Sequence, residues 1–409
     1  MQLVAFGAQD IYLTGNPQIT FFKVVYRRHT NFSMELIKQT WSGGNETTLG
    51  SRLVSTISRN GDLIHRMYIQ TQVATNTAGY NPGAYFVDEV SVEIGGQEID
   101  KHNGEFLEIY AELTEPNSAS LFGVNSRGTK FQDMSGMGGK YFGASSAVGQ
   151  FWIPLRFWFN KHVGLALPLI ALQYHEVKVI LKTYDGGASN TNVSRTCCWS
   201  TITQNNLWVE YIYLDTDERR RFAQVSHEYL IEQVQYESHS SALSMDLNFN
   251  HPVKELIWFN SIRSNTGLRG GGENHFKLVF NGHDRFEKLR WTYFTETQVW
   301  ENKSGCGGLP RELTGVVTTD ATASWSPTPD ATGPKSLTGA QGTPGYGWNT
   351  GVYSFALKPE EHQPSGTCNF SRLDSVQLVQ DVSMPLDIYA INYNVLRIMS
   401  GMGGLAYSN

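Results

Sequence analysis

Glu105, Glu108, Glu112 and Glu115 recur every three or four residues, which on a helix stacks four carboxyl groups along one face. Two carboxyls held several ångströms apart are the working equipment of a glycosidase. Trp325 and Trp348 add flat surfaces on which sugar rings could stack. A carbohydrate-binding or carbohydrate-active β-sandwich protein is therefore one reading. Against it, sandwich glycosidases carry their acids on strands facing a groove. These four instead read as the water-facing side of a helix whose other side is Phe106, Leu107, Ile109, Tyr110 and Leu113.

Other chemistries lack their residues. The eleven histidines form no HExxH, no HxH and no Cys/His spacing suited to tetrahedral zinc. Gly136-Met137-Gly138-Gly139-Lys140-Tyr141 lacks the leading glycine and the Ser or Thr of a phosphate loop, and Tyr141 stands where a dinucleotide fingerprint needs its third glycine. No GxSxG nucleophile elbow occurs. No cofactor, metal or catalytic residue is expected. The hexapeptide MSGMGG appears at Met134–Gly139 and again at Met399–Gly404 and reads as flexible glycine-rich linkage. Cys197, Cys198, Cys306 and Cys368 include one adjacent pair and no Cys-x-x-Cys, so free thiols are expected.

The elements that must position any site are mostly strands. The chain has 409 residues, of which 40 % are hydrophobic and only 17 % charged, with 40 glycines and a formal charge of -6. That composition suits a folded β protein and excludes a coiled coil, a disordered polyelectrolyte and a basic coat for nucleic acid. Met1–Asp10 has neither a basic segment nor an apolar stretch from which a signal or transit peptide could be read. The longest apolar run, Val163–Leu172, contains Gly164 and Pro168 and is too short to span a bilayer.

Runs rich in Val, Ile, Tyr, Phe and Trp, such as Ser33–Trp41, Leu63–Val73, Phe86–Ile94, Phe151–Phe159 and Val177–Thr183, read as strands, and Val90, Val92 and Ile94 alternate with polar neighbours. Gly104–Thr114 reads as a helix following a Gly95-Gly96 turn.

A faint internal repeat organises these elements. Val92–Gln97 returns as Leu278–His283, followed by a helical pattern over Phe286–Phe294; His175–Val179 returns as Asp374–Leu378, and Leu207–Leu214 as Leu386–Val395. Two similar β units are expected in tandem, joined by the charge run Asp215–Arg221, which reads as an exposed connector. Residues 301–350 are dominated by Gly, Pro, Ser and Thr and read as a long surface loop.

Several long segments then resemble the major capsid proteins of large icosahedral double-stranded DNA viruses with an internal membrane, above all those of the algal chlorella viruses. They are Gly7–Lys23, Ile57–Ile64, Glu93–Gln97, Gly164–Lys178, His227–Gln233, Leu247–Pro252, Gln363–Asp374 and Asn392–Tyr407. Departures concentrate in Pro116–Gln150, Ser261–Asn274 and Asn302–Asn349.

The resemblance implies an all-β double jelly roll: two tandem eight-stranded antiparallel sandwiches with short helices and long loops. It implies an N-terminal arm over residues 1–28, a first jelly roll over 29–214, a linker over 215–224, a second jelly roll over 225–396 with its long loop at 301–350, and a tail over 397–409. It implies a structural protein whose homotrimer has six barrels in pseudo-hexagonal outline. The expected partners are neighbouring capsomers and minor capsid proteins, outside an internal membrane and without direct nucleic acid contact, in a virion assembled in the host cytoplasm.

In that frame Phe21, Phe22, Val24, Val25, Tyr26, Arg27 and Arg28 form an anchoring arm, the alternative being a first strand paired in the sheet. Relatives carry glycans on outer loops, which makes Asn302 and Asn349 candidate attachment points.

Overall fold

A computed structural model describes residues 16, 18, 21–23, 29–75, 79–115, 129–138, 141–142, 148–184, 199–260, 268, 273–305 and 350–407. Val24, Val25, Tyr26, Arg27, Arg28, Trp325, Trp348, Asn349, Cys197, Cys198 and Cys306 lie outside the described residues.

The first unit is built from β1 (Phe32–Gln39), β2 (Arg52–Thr56), β3 (Leu63–Thr75), the two-residue β4 (Gly79–Tyr80), β5 (Val87–Ile94), β6 (Gln97–Asn103), the two-residue β7 (Tyr141–Phe142), β8 (Val148–Pro154), the two-residue β9 (Leu167–Pro168), β10 (Val177–Thr183) and β11 (Trp199–Leu214). One sheet runs β1-β11-β3-β8 and the facing sheet β2-β10-β5-β6, with every pairing antiparallel. Period-two alternation sends Ile69, Val92, Val179 and Val209 into the shared core. The helix Gly104–Thr114 follows β6 over the span expected from the sequence.

The second unit repeats this order, with two of its strands long enough to run through both sheets. It contains β12 (His227–Asp246), β13 (Pro252–Asn260), β14 (His275–Phe280), β15 (His283–Asp284), β16 (Leu289–Arg290), β17 (Thr350–Ser354), β18 (Cys368–Asn369), β19 (Val376–Met399) and β20 (Met402–Leu405). The early part of β12 and β13 flank the late part of β19, and β17 lies beyond β13. The late part of β12 and β14 flank the early part of β19, and β15 and β16 lie beyond β14. Register slips between His239, Ala242 and Ser244 let β12 turn the corner, so one bent strand serves both sheets of the sandwich. The core here is Trp258, Phe276, Phe294, Leu378, Ile388 and Ala390. Two sandwiches with the same strand order make the fold a double jelly roll.

Three local expectations change. The charge run after β11 is an exposed helix, Thr216–Gln224, opened by the Asp215 carboxylate accepting from Thr216 N–H at 2.8 Å. The helical pattern expected over Phe286–Phe294 starts at Trp291, winds as a π-helix over Tyr293–Thr297 and finishes as Gln298–Asn302, because Leu289–Arg290 is drawn into the sheet. Neither MSGMGG copy is a linker. The first closes the helix Lys130–Ser135, and the second is the tight turn from β19 to β20, where Ser400 (φ 52°) and Gly401 (φ 81°) supply the two left-handed residues such a hairpin needs.

Candidate assembly interface

The strongest constellation of side chains lies where the two sandwiches meet. Asn103 caps the helix Gly104–Thr114 by accepting from Phe106 N–H at 2.8 Å, and the same side-chain oxygen accepts from Tyr389 Oη of the second unit, also at 2.8 Å. Leu107 and Ala111 face the helix's own barrel. Phe106, Ile109 and Leu113 form a buried cluster with Ile257, Phe259, Val352, Tyr389 and Ile391 of the other. One helix therefore belongs to two cores.

This overturns the expectation that Glu105, Glu108 and Glu112 are a solvated face. All three are buried, and Glu108 accepts the Gly138 N–H at 2.9 Å and 3.1 Å. Glu115 is gripped by Arg156. Only Tyr110 and Thr114 of the helix are half-buried, on the side that borders a cavity at the joint.

Polar groups fix the alignment. Asp100, buried against His102 at 2.9 Å, accepts the Val234 N–H of β12 at 3.1 Å, and Gln233 donates to the Ile99 carbonyl. Ser304 Oγ donates to the Thr114 carbonyl at 2.7 Å and Gly305 N–H to the Leu113 carbonyl at 2.9 Å. At the far end the β19–β20 hairpin clasps the first unit: Tyr174 N–H donates to the Gly401 carbonyl at 3.0 Å, and the His175 ring meets the Gly403 carbonyl at 2.9 Å.

Charge also bridges the joint. Glu232 of β12 lies 2.8 Å from Lys161 of the first unit and 2.6 Å from Lys254 of the second, and Lys254 also donates to the Pro359 carbonyl at 2.8 Å. Burial alone would raise the Glu232 carboxyl, but the two ammonium groups override it and hold it down at about 2. Burial would lower Lys161, yet Glu232 keeps it above its usual value. Nearby the rings of His162 and His362 stack across the joint at 5.2 Å, and burial followed by the neighbouring His162 pushes His362 down.

A cavity of about 460 Å³ opens beside these groups, lined by Arg156, Lys161, His162, Glu232, Glu360 and His362 among others. Its carboxylates are engaged. Glu232 is held by two lysines, and Glu360 accepts the Ser304 N–H at 3.1 Å and 3.2 Å. Such neutralised acids lock a contact rather than shuttle protons. Among the described residues no group of three or more His, Cys, Asp or Glu side chains could hold a metal, and no helix is long and apolar enough to cross a membrane.

Of the residues singled out from sequence, Phe21 and Phe22 sit in a turn with fully exposed rings, ahead of the first strand at Phe32. Asn302 ends its helix with Nδ2 donating to the Gln298 carbonyl at 3.0 Å and to Gln298 Oε1 at 3.2 Å. Sequence reasoning missed the lysines and Glu232, since isolated charges within strands carry no periodic signal. The readable hint was that Phe106, Leu107, Ile109, Tyr110 and Leu113 wrap more of the helix than one barrel can cover.

The comparisons with known proteins agree along the whole chain. A family profile described as major capsid protein N-terminus matches residues 20–215, and one described as large eukaryotic DNA virus major capsid protein matches residues 218–270 and 338–404. The major capsid protein of Pyramimonas orientalis virus is 48 % identical over 427 residues, covering 100 % of this chain and 99 % of that protein. That of Paramecium bursaria Chlorella virus 1 (PBCV-1) is 37 % identical over 484 residues with the same coverage. Among solved structures, PBCV-1 VP54, fitted into a cryo-EM reconstruction of the virophage Sputnik, superposes with a TM-score of 0.73 at 33 % identity, covering 95 % of this chain and 100 % of that one. The Faustovirus major capsid protein shares the fold, with a TM-score of 0.61 at 11 % identity over 96 % of this chain and 94 % of its own. The chain belongs to the major capsid proteins of large eukaryotic DNA viruses, structural proteins of the virion shell.

Proposed function

We propose that three copies of this chain associate into a capsomer of six barrels with a pseudo-hexagonal outline, and that these capsomers tile the facets of an icosahedral shell. The observation that carries the reading is the repeated strand order, β1-β11-β3-β8 in one unit and its counterpart around β19 in the other, held together by a buried joint. A rigid pair of like barrels gives each chain two similar edges, and threefold association turns three such pairs into a tile that packs hexagonally. Closed symmetry keeps that association finite.

In this reading loop 301–350 faces outward and can carry glycans. The arm containing Phe21 and Phe22 points inward to minor capsid proteins, the shell lies outside an internal membrane, and assembly takes place in the host cytoplasm. Phe21 and Phe22, 90 % and 96 % exposed, support the arm, because exposed aromatic surface gains by docking on a partner.

Cryo-EM of the purified assembly or of virions tests the proposal. Six-lobed tiles with threefold symmetry, each lobe fitting one sandwich, are expected. Lattice density with one lobe per chain would overturn it.

A further inference from the structure

Equivalent faces of the two units are treated differently within the chain. Setting the last strands in parallel places Glu210 and Ile212 of β11 where Tyr389 and Ile391 stand in β19. Pairing with the first strand of each unit then places Met34 and Leu36 where Val234 and Tyr236 stand. In the second unit this face is roofed by the first unit's helix Gly104–Thr114. On that roofed face Val234 is half-buried and Tyr236, at its rim, stays 47 % exposed; in the first unit Phe32, Met34 and Leu36 are all exposed, at 53 %, 42 % and 40 %.

The exposed part of this face is its β1 edge; behind it Ile212 is already buried against Leu63, Ala166 and Phe222. β1 is an edge strand whose outward stripe is Phe32, Met34 and Leu36, and it runs beside a row of aromatic rings on β3, β8 and β11: Tyr68 and Trp152 at 6.2 Å, Trp152 and Trp208 at 5.6 Å. Edge strands of this kind are normally blunted or covered. Glu210, at the place of Tyr389, keeps one buried carboxylate oxygen without a hydrogen-bond partner among the described residues.

The second unit also owns a counterpart of the roofing helix. The Gly95-Gly96 hairpin corresponds to Asn281-Gly282, and the helical stretch that follows, residues 291–302, turns Trp291 and Phe294 into its own core much as Leu107 and Ala111 turn into theirs. On its outer side it leaves Trp300 82 % exposed.

We propose that the Trp300 helix of one copy seats on the Phe32–Met34–Leu36 face of a second copy, repeating between chains the joint that exists within each chain. The inference rests on the trimeric reading and names the surfaces that make it. Donor helix and acceptor face are different patches, so the contact is head-to-tail and must either close into a ring or propagate. Likeness of the joints within and between chains is what closes it after six barrels.

Donor-dead Trp300→Arg and acceptor-dead Leu36→Arg variants of the full chain test this by light scattering, with far-UV circular dichroism to verify folding. Each variant alone is expected to run as a single chain where the unchanged protein is trimeric, an association weakened about a hundredfold or more. A one-to-one mixture should form a two-chain species and stop there, because one intact helix meets one intact face. Trp300→Phe should keep the trimer. Should either arginine variant lose its circular dichroism signal, Met34→Ser and Trp300→Ser replace the pair. Folded single variants that remain trimeric would overturn the proposal and leave the trimer standing, as would two single-chain variants that fail to pair when mixed. An unchanged protein that stays single would overturn the trimeric reading itself, and the proposal with it.

Discussion

Lys303 Nζ and Glu255 Oε2 meet at 2.6 Å with each side chain only 1 % exposed. A charge pair so completely removed from water contributes little when intact, yet losing one partner strands the other charge in an apolar setting. Glu255→Gln or Lys303→Met should therefore each cost about 3–5 kcal/mol, whereas Glu255→Leu combined with Lys303→Met should recover most of that loss. Denaturant unfolding of the three variants checks it. Equal losses in the single and double variants would show that the charges themselves stabilise the site.

The bridge across the joint predicts an acid limit. Because the Glu232 carboxyl is held below its ordinary 4.5, its contribution is complete above that pH and drains away as pH falls toward about 2. Lys161, held above its ordinary value, contributes fully below about 10.5 and loses its hold only on the far alkaline side. The protection of the Gln233 and Val234 amides, taken as exchange relative to the intrinsic rate at each pH from 5 to 2, should fall over that window, and Glu232→Gln should flatten the acid response. Protection that is already absent at pH 5, or undiminished down to pH 2, would contradict the assignment.

Phe106 is the side chain most central to the shared helix, packing on Tyr389 with ring centroids 5.4 Å apart and fully buried. Phe106→Ala should cost about 3–5 kcal/mol and split the thermal transition into two, since the second barrel has its own core and only Ile231, Leu396 and Ile398 of that unit join the core of the first. A single sharp transition at an unchanged temperature would show that the joint contributes little to cooperativity.

The clasp at the chain's end depends on Gly401. Its φ of 81° is unfavourable for any L side chain, and a Cβ there would lie 2.7 Å from the Tyr174 ring. Gly401→Val should destabilise by about 1–3 kcal/mol, and limited proteolysis should cut first near residues 400–402. Protection equal to that of the unchanged chain would contradict it.

How much of this was legible beforehand varies from residue to residue. Val90, Val92 and Ile94 announce a strand through simple alternation, and the apolar pattern over Phe106–Leu113 marks the helix Gly104–Thr114. Its glutamates read as solvated because spacing reveals that residues share a face but not what covers it, and the helix lies against a second sandwich. The second helical stretch begins later than its pattern suggests because Leu289–Arg290 looks locally helical and is captured by β14, a pairing that local pattern cannot anticipate. The Lys161–Glu232–Lys254 cluster gathers residues far apart in the chain, so only the assembled joint makes it visible.

Sedimentation equilibrium of the unchanged full-length chain is the most direct measurement. The account predicts a particle of about three times 45.8 kDa that persists on dilution. A mass of one chain at every concentration, or one that climbs without a plateau, would contradict it.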